Sequence, residues 1–157
     1  MMLLQTDPLP VRLWLGSNPP ADDSGKDEET RGILGGTAML RVLIVEDEFF
    51  ISLDTDALLR ELGHTPVGIA VSADEAIAMA ERHMPDVVLM DIRLSGVGDG
   101  IHAAKTILSR FNIPSIFVTA NTDPLTRQRA RTAGGLGFIE KPVTKDRLMA
   151  GLKAAVR

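Results

Sequence analysis

The chain has 157 residues, 45% of them hydrophobic and 4% aromatic, with one Trp, no Tyr and no Cys. That length suits one domain with a tail, large enough to bury an apolar core without metal or disulfide staples. The missing cysteines exclude disulfides, thiolate metal sites and thiol nucleophiles, and a net charge of −4 argues against a general nucleic-acid binder.

No apolar run is long enough to span a bilayer. The opening MMLLQTDPLPVRLWLG lacks a basic leader region and is broken by Asp7, Pro8 and Pro10, so no signal peptide is read there and a cytoplasmic protein is expected. Residues 1–38 carry three basic and six acidic side chains, hence −3, which leaves the rest nearly balanced. The stretch SNPPADDSGKDEETRG shows no hydrophobic period and cannot offset its ordering entropy. Residues 1–38 therefore read as a disordered or non-native extension, with translation expected to begin at Met39, and residues 39–157 as the domain. Leu13, Trp14 and Leu15 form either a short docking motif or an apolar accident of that tail.

From Arg41 the chain alternates β-branched runs with helical segments. RVLIV at 41–45 has the composition of a buried parallel strand. The following helical pattern runs to Leu62, with Ile51, Thr55, Leu58 and Leu62 on one face and Gly63 where a C-cap is wanted. Pro66–Val71 reads as a second strand. Ser72-Ala-Asp-Glu75 is a capping box opening an Ala-rich helix that ends before Pro85. DVVLMD at 86–91 is the third strand. A helix from Gly100 to Phe111 turns Ile101, Ala104, Ile107 and Leu108 inward. PSIFVT at 114–119, Pro124–Thr132 and Gly137–Ile139 then read as strand, helix and short strand, and Thr144–Val156 as a closing amphipathic helix. Five strands alternating with five helices imply a parallel α/β sheet covered on both faces, with ligands beyond the carboxyl ends of the strands.

The polar residues at the strand ends carry the chemistry. Strand one runs into Glu46-Asp47-Glu48, strand three ends in Asp91, strand four in Thr119, and strand five leads to Glu140-Lys141-Pro142. A parallel sheet gathers all of these at one edge. Crowded carboxylates raise one another's pKa unless a cation intervenes, and hard oxygen ligands without His or Cys favour Mg²⁺. A carboxylate, a divalent cation, a hydroxyl and a lysine are the parts that stabilise a phosphoryl group in transfer, and Asp91 can itself be the nucleophile. Taken singly, each has a plainer reading: an acidic helix start, a strand-ending cap, a turn hydroxyl, a solvated lysine. Their joint placement is what points to chemistry.

These motifs, VLIVEDE at 42–48, VVLMDIRL at 87–94, IFVTA at 116–120 and GFIEKP at 137–142, resemble in order and spacing those of the response-regulator receiver family of two-component signalling. The resemblance runs from Leu40 to the C-terminus. It implies a doubly wound, flavodoxin-like (βα)5 sheet of strand order 2-1-3-4-5. It implies Asp91 as phosphoacceptor, Glu46, Asp47, Asp91 and the Arg93 backbone carbonyl as Mg²⁺ ligands, and Thr119 and Lys141 on the phosphoryl oxygens. Thr119 and Phe138 would be switch residues, the Lys141-Pro142 bond cis, and Arg93 and Asn121 tuners of phosphoryl lifetime. Two departures stand out: Glu46 replaces a usual Asp, and the loop SGVGDG at 95–100 is longer and lacks the usual proline.

Only about fifteen residues come after Pro142, so the expectation is a stand-alone receiver rather than an enzyme, a phosphoacceptor that assists its own phosphorylation and dephosphorylation. Its expected partners are a sensor histidine kinase or histidine phosphotransfer protein, a downstream protein, and a second copy through helix four, strand five and helix five, with no direct nucleic acid or membrane contact. That surface carries Arg127, Arg129, Arg131, Lys145 and Arg147, read either as a solvated basic face or as a docking surface for an acidic partner. The rival reading is a phosphorylation-independent pseudo-receiver acting as a constitutive binding module. An Asp-x-Asp phosphatase and a Gly-rich dinucleotide fold lack their motifs.

Overall fold

The computed structural model describes residues 38–120 and 123–156. The expectations for residues 1–37 and for Asn121 lie outside those residues. Among the described residues, the elements run β1 Arg41–Val45, α1 Phe49–Glu61, β2 Thr65–Ala70, α2 Ala73–His83, β3 Val87–Asp91 and α3 Gly100–Phe111. They continue with β4 Ser115–Thr119, α4 Pro124–Thr132, β5 Gly135–Glu140 and α5 Lys145–Leu152, closed by a 3-10 turn at Lys153–Ala155.

The five strands pair in parallel in the order β2-β1-β3-β4-β5, as the motifs imply. Strand alternation divides the core in two. Leu43, Val45, Val88, Met90 and Phe117 face α2, α3 and α4, while Val42, Ile44, Val87, Leu89, Ile116 and Val118 face α1 and α5. Both faces are buried under helices, which is why the central strands are apolar along most of their length. Alanines at 73, 76 and 80 bring α2 close to the sheet, and Leu148 and Leu152 anchor α5.

The helix starts follow their sequence signals. Ser72, Asp99, Asp123 and Thr144 each accept a backbone N–H at the N-terminus of α2, α3, α4 and α5. The Ser72 box is modified: Glu75 reaches back to the N–H of Val71, not to that of Ser72. Gly63 ends α1 at φ 89°, a left-handed conformation open to glycine.

Some boundaries and one helix face differ from the sequence reading. β2 begins and ends one residue earlier, and β5 is longer, because the ladder to β4 extends through Gly135 and Glu140. The last helix gives way to a 3-10 turn after Leu152. On α1 the deepest residues are Ser52, Thr55 and Leu59, with Ile51, Leu58 and Leu62 half-buried. Burial of the two hydroxyls is tolerated because Ser52 Oγ donates to the Phe49 carbonyl at 2.7 Å and Thr55 Oγ1 to the Ile51 carbonyl at 2.8 Å.

Candidate phosphoryl-transfer site

The chain moves from β1 outward to β2, then crosses back to β3, so the switch in strand order lies between β1 and β3. Val45 pairs with Met90, and the next residues, Glu46 and Asp91, therefore leave the sheet side by side. On the other flank Asp91 pairs with Val118, which puts Thr119 one step beyond it. Thr119 pairs in turn with Glu140, and its carbonyl accepts the Lys141 N–H at 3.0 Å. Register alone thus assembles Glu46, Asp91, Thr119 and Lys141. Glu46, Asp91 and Thr119 are buried, and Asp47 is partly exposed at the rim.

Lys141 is the centre of the charge arrangement. Its Nζ lies 2.8 Å from Glu46 Oε2 and 3.0 Å from Asp91 Oδ2, with the exposed Glu48 at 4.0 Å. The Lys141-Pro142 peptide bond is cis. Asp91 Oδ1 accepts the Arg93 N–H at 3.0 Å, and Glu46 Oε1 accepts the Glu48 N–H at 3.0 Å. Burial pushes the Glu46 carboxyl up to about 7, against the opposing pull of Lys141. Burial works against the Lys141 ammonium too, but its hydrogen bonds to Glu46 and Asp91 prevail and hold it above the ordinary lysine value.

Carboxylate oxygens of Glu46, Asp47 and Asp91 lie within 4.8 Å of one another. Three carboxylates face one ammonium, leaving a surplus of negative charge that a divalent cation would offset. The donors are all hard oxygens, so the chemistry of the set fits Mg²⁺.

Ser95, which the sequence motifs do not single out, belongs to this site. Its N–H donates to Asp47 Oδ2 at 3.1 Å, and its hydroxyl makes a short hydrogen bond to the same oxygen. That hydroxyl is the first cause of an Asp47 carboxyl held below the usual range. The missing proline in the 95–100 loop was the available signal, since a proline has no N–H to donate.

Phe138 is half-buried, 6.1 Å from the Phe117 ring centroid, with the Arg127 guanidinium 5.2 Å over its outer face. The Arg93 side chain is exposed. Most of the basic surface is already engaged within the chain. Arg127 lies 3.9 Å from Glu140, Arg129 2.9 Å from Asp99 and Lys145 2.8 Å from Glu61. Arg147 donates to the carbonyls of Glu140 and Pro142. These four are therefore structural contacts before they are docking groups.

Among the described residues no helix is long and apolar enough to cross a membrane. The family model described as "Response regulator receiver domain" matches residues 42–153. The transcriptional regulatory protein PdtaR of Mycobacterium tuberculosis is 40% identical over 116 residues, covering 74% of this chain and 56% of that protein. The phyllosphere-induced regulator PhyR of Methylorubrum extorquens is 34% identical over 137 residues, covering 86% of this chain and 48% of that protein. The chain thus spans about half the length of these relatives. Among solved structures, the signal receiver domain of a modulated diguanylate cyclase from Desulfovibrio desulfuricans G20 superposes with a TM-score of 0.70 at 34% identity, covering 76% of this chain and 94% of that one.

Proposed function

The chain belongs to the response regulator receiver family, and we infer that within it Asp91 accepts a phosphoryl group, with Mg²⁺ bound, from a histidine kinase or histidine phosphotransfer protein. The observation that carries this reading is the seat of Asp91: a buried carboxylate at the sheet's switch point, held on one oxygen by the Arg93 N–H and on the other by Lys141. In the transfer, an Asp91 oxygen bonds to phosphorus while the bond from phosphorus to the donor's imidazole nitrogen breaks, its electron pair staying on that nitrogen. Lys141, already 3.0 Å from Asp91 Oδ2, meets one phosphoryl oxygen, and the Thr119 hydroxyl takes another. Glu46, Asp47, Asp91 and the Arg93 carbonyl would hold Mg²⁺, which supplies positive charge against the phosphoryl oxygens.

In this reading the protein is a phosphoacceptor that speeds its own modification rather than an enzyme acting on another substrate. Movement of Thr119 towards the new charge biases a two-state equilibrium in which Phe138 changes its place beside Phe117 and Arg127. The output is contact with a downstream protein, and Arg93 and Asn121 set how long the phosphoryl group survives. The central test is incubation with Mg²⁺ and a small-molecule phosphodonor. A base-labile phosphate on Asp91, absent in Asp91→Asn, is the expected result. No modification of the wild type, or equal modification of Asp91→Asn, would favour the constitutive binding module.

A further inference from the structure

We propose that Ser95 is a positioning residue for the metal site, a two-point clamp that fixes the Asp47 carboxylate before the cation arrives. The inference rests on the phosphoacceptor reading and deepens it. Asp47 sits on the loop between β1 and α1, partly exposed, where a short carboxylate side chain is otherwise open to water on one side. Both Ser95 donors converge on its Oδ2, so one residue supplies the backbone and the side-chain restraint together. A ligand whose orientation is fixed beforehand loses less freedom on binding, and such outer partners of metal ligands contribute measurably to affinity.

The clamp is itself braced. Downstream of Ser95 the loop is tied at Asp99, which caps α3 through the His102 N–H at 2.9 Å and pairs with Arg129 on α4 at 2.9 Å. Gly100 N–H donates to the Ile92 carbonyl at 2.9 Å. At Gly100 an added Cβ would lie 1.9 Å from the Asp91 carbonyl oxygen, so the loop returns against the acceptor's own backbone. Gly96 and Gly98, at φ 95° and 86°, make the turn that presents Ser95. The loop is therefore closed at its base between Ile92 and Gly100 and tied to α4 through Asp99, with the Ser95 grip on Asp47 within the closed segment.

The test is Mg²⁺ affinity by isothermal titration, with Mn²⁺ binding by electron paramagnetic resonance as a second probe, on the full chain and on Ser95→Ala, Ser95→Thr and Ser95→Pro. Ser95→Ala keeps the N–H and loses the hydroxyl, and is expected to weaken binding about tenfold, the low end of such effects because Ser95 is exposed. Ser95→Thr should restore affinity to within about twofold, and Ser95→Pro, lacking both donors, should fall below Ala. Thermal midpoints in EDTA should be alike for Ser95, Ala and Thr. Unchanged or tighter binding in Ser95→Ala overturns the clamp, as does a Thr variant no better than Ala. If the wild type itself binds neither cation, the phosphoacceptor reading fails with it. Wild-type binding equal to that of Ser95→Ala removes the clamp alone.

Discussion

Replacing Asp91 by Asn is expected to stabilise the metal-free protein while abolishing its phosphorylation. Asp91 Oδ2 lies 3.0 Å from Lys141 Nζ, an attraction of about 5–6 kcal/mol at an effective dielectric constant of about 20. Against it stand Glu46 and Asp47, whose carboxylate oxygens lie within 4.8 Å of that of Asp91. Each repels it by at least about 3.5 kcal/mol on the same scale. The two repulsions exceed the attraction by about 1–2 kcal/mol, and the desolvation of buried Asp91 adds to the same side. Asn has nearly the same shape, keeps an oxygen for the Arg93 N–H, and leaves Lys141 on Glu46 at 2.8 Å.

The expected gain is about 1–3 kcal/mol, or roughly 4–10 °C in Tm for a domain of this size. Scanning calorimetry in EDTA at pH 8, where Glu46 is ionised, measures it, with urea unfolding as a second determination. Saturating Mg²⁺ should shrink or reverse the difference, because the cation replaces mutual repulsion with shared attraction. A lower Tm for Asp91→Asn in EDTA would mean that the lysine pairing outweighs the repulsion, and would refute the charge-surplus argument.

Mg²⁺ affinity should rise with pH through about 7, because Glu46 must lose a proton to serve as a ligand. Titration at pH 6.5 in buffers of different ionisation enthalpy should register proton release, and a pH-independent affinity between 6 and 8 counts against Glu46 as ligand. His64 is buried and neutral, its Nδ1 accepting the Leu40 N–H at 3.1 Å, and burial holds its pKa below the ordinary value. Its contribution is thus complete above the unfolded-state value of about 6.5 and declines as pH falls below it. His64→Leu should cost about 1–3 kcal/mol at pH 8 by orphaning that N–H, and should flatten the pH 5–7 stability slope relative to wild type. Gly100→Ala forces a Cβ into the Asp91 carbonyl and should cost about 2–3 kcal/mol. A change within about 0.5 kcal/mol in urea unfolding would show that this backbone yields freely.

The fold is readable in the sequence because its strands are short apolar runs bounded by turns, and because the chemistry sits directly after them. Once β1 and β3 pair in register, Glu46 and Asp91 must emerge together, so their spacing along the chain already contains the site. Other features depend on contacts that no local pattern encodes. The inner face of α1 escapes a hydrophobic pattern because Ser52 and Thr55 look polar until their hydroxyls are returned to the helix backbone. Gly135 and Gly137 have poor strand propensity, and β5 reaches its full length only through the ladder to β4. Ser95 meets Asp47 across 48 residues, and Lys145 meets Glu61 across 84. A serine in a glycine-rich loop and a lysine on a helix carry no sign of such partners.

These local details converge on one imbalance. Three carboxylates and one ammonium are held at the sheet edge by register, so the chain cannot relax the crowding by moving any one strand. Without a cation the least costly relief is a proton, and Glu46, the deeper of the adjacent pair, takes it near neutral pH because burial has raised its pKa. Asp47 at the rim is held below the usual carboxylate range, first by the Ser95 hydroxyl and also by the Ser95 N–H. A divalent cation would relieve the same surplus more completely, and would release that proton in doing so. Phosphorylation of Asp91 would then add negative charge where the surplus already lies, which favours inward movement of the Lys141 ammonium and the Thr119 hydroxyl. The crowding of the metal-free site and the response expected of it on phosphorylation would therefore have one origin: more carboxylate charge than its own lysine can neutralise.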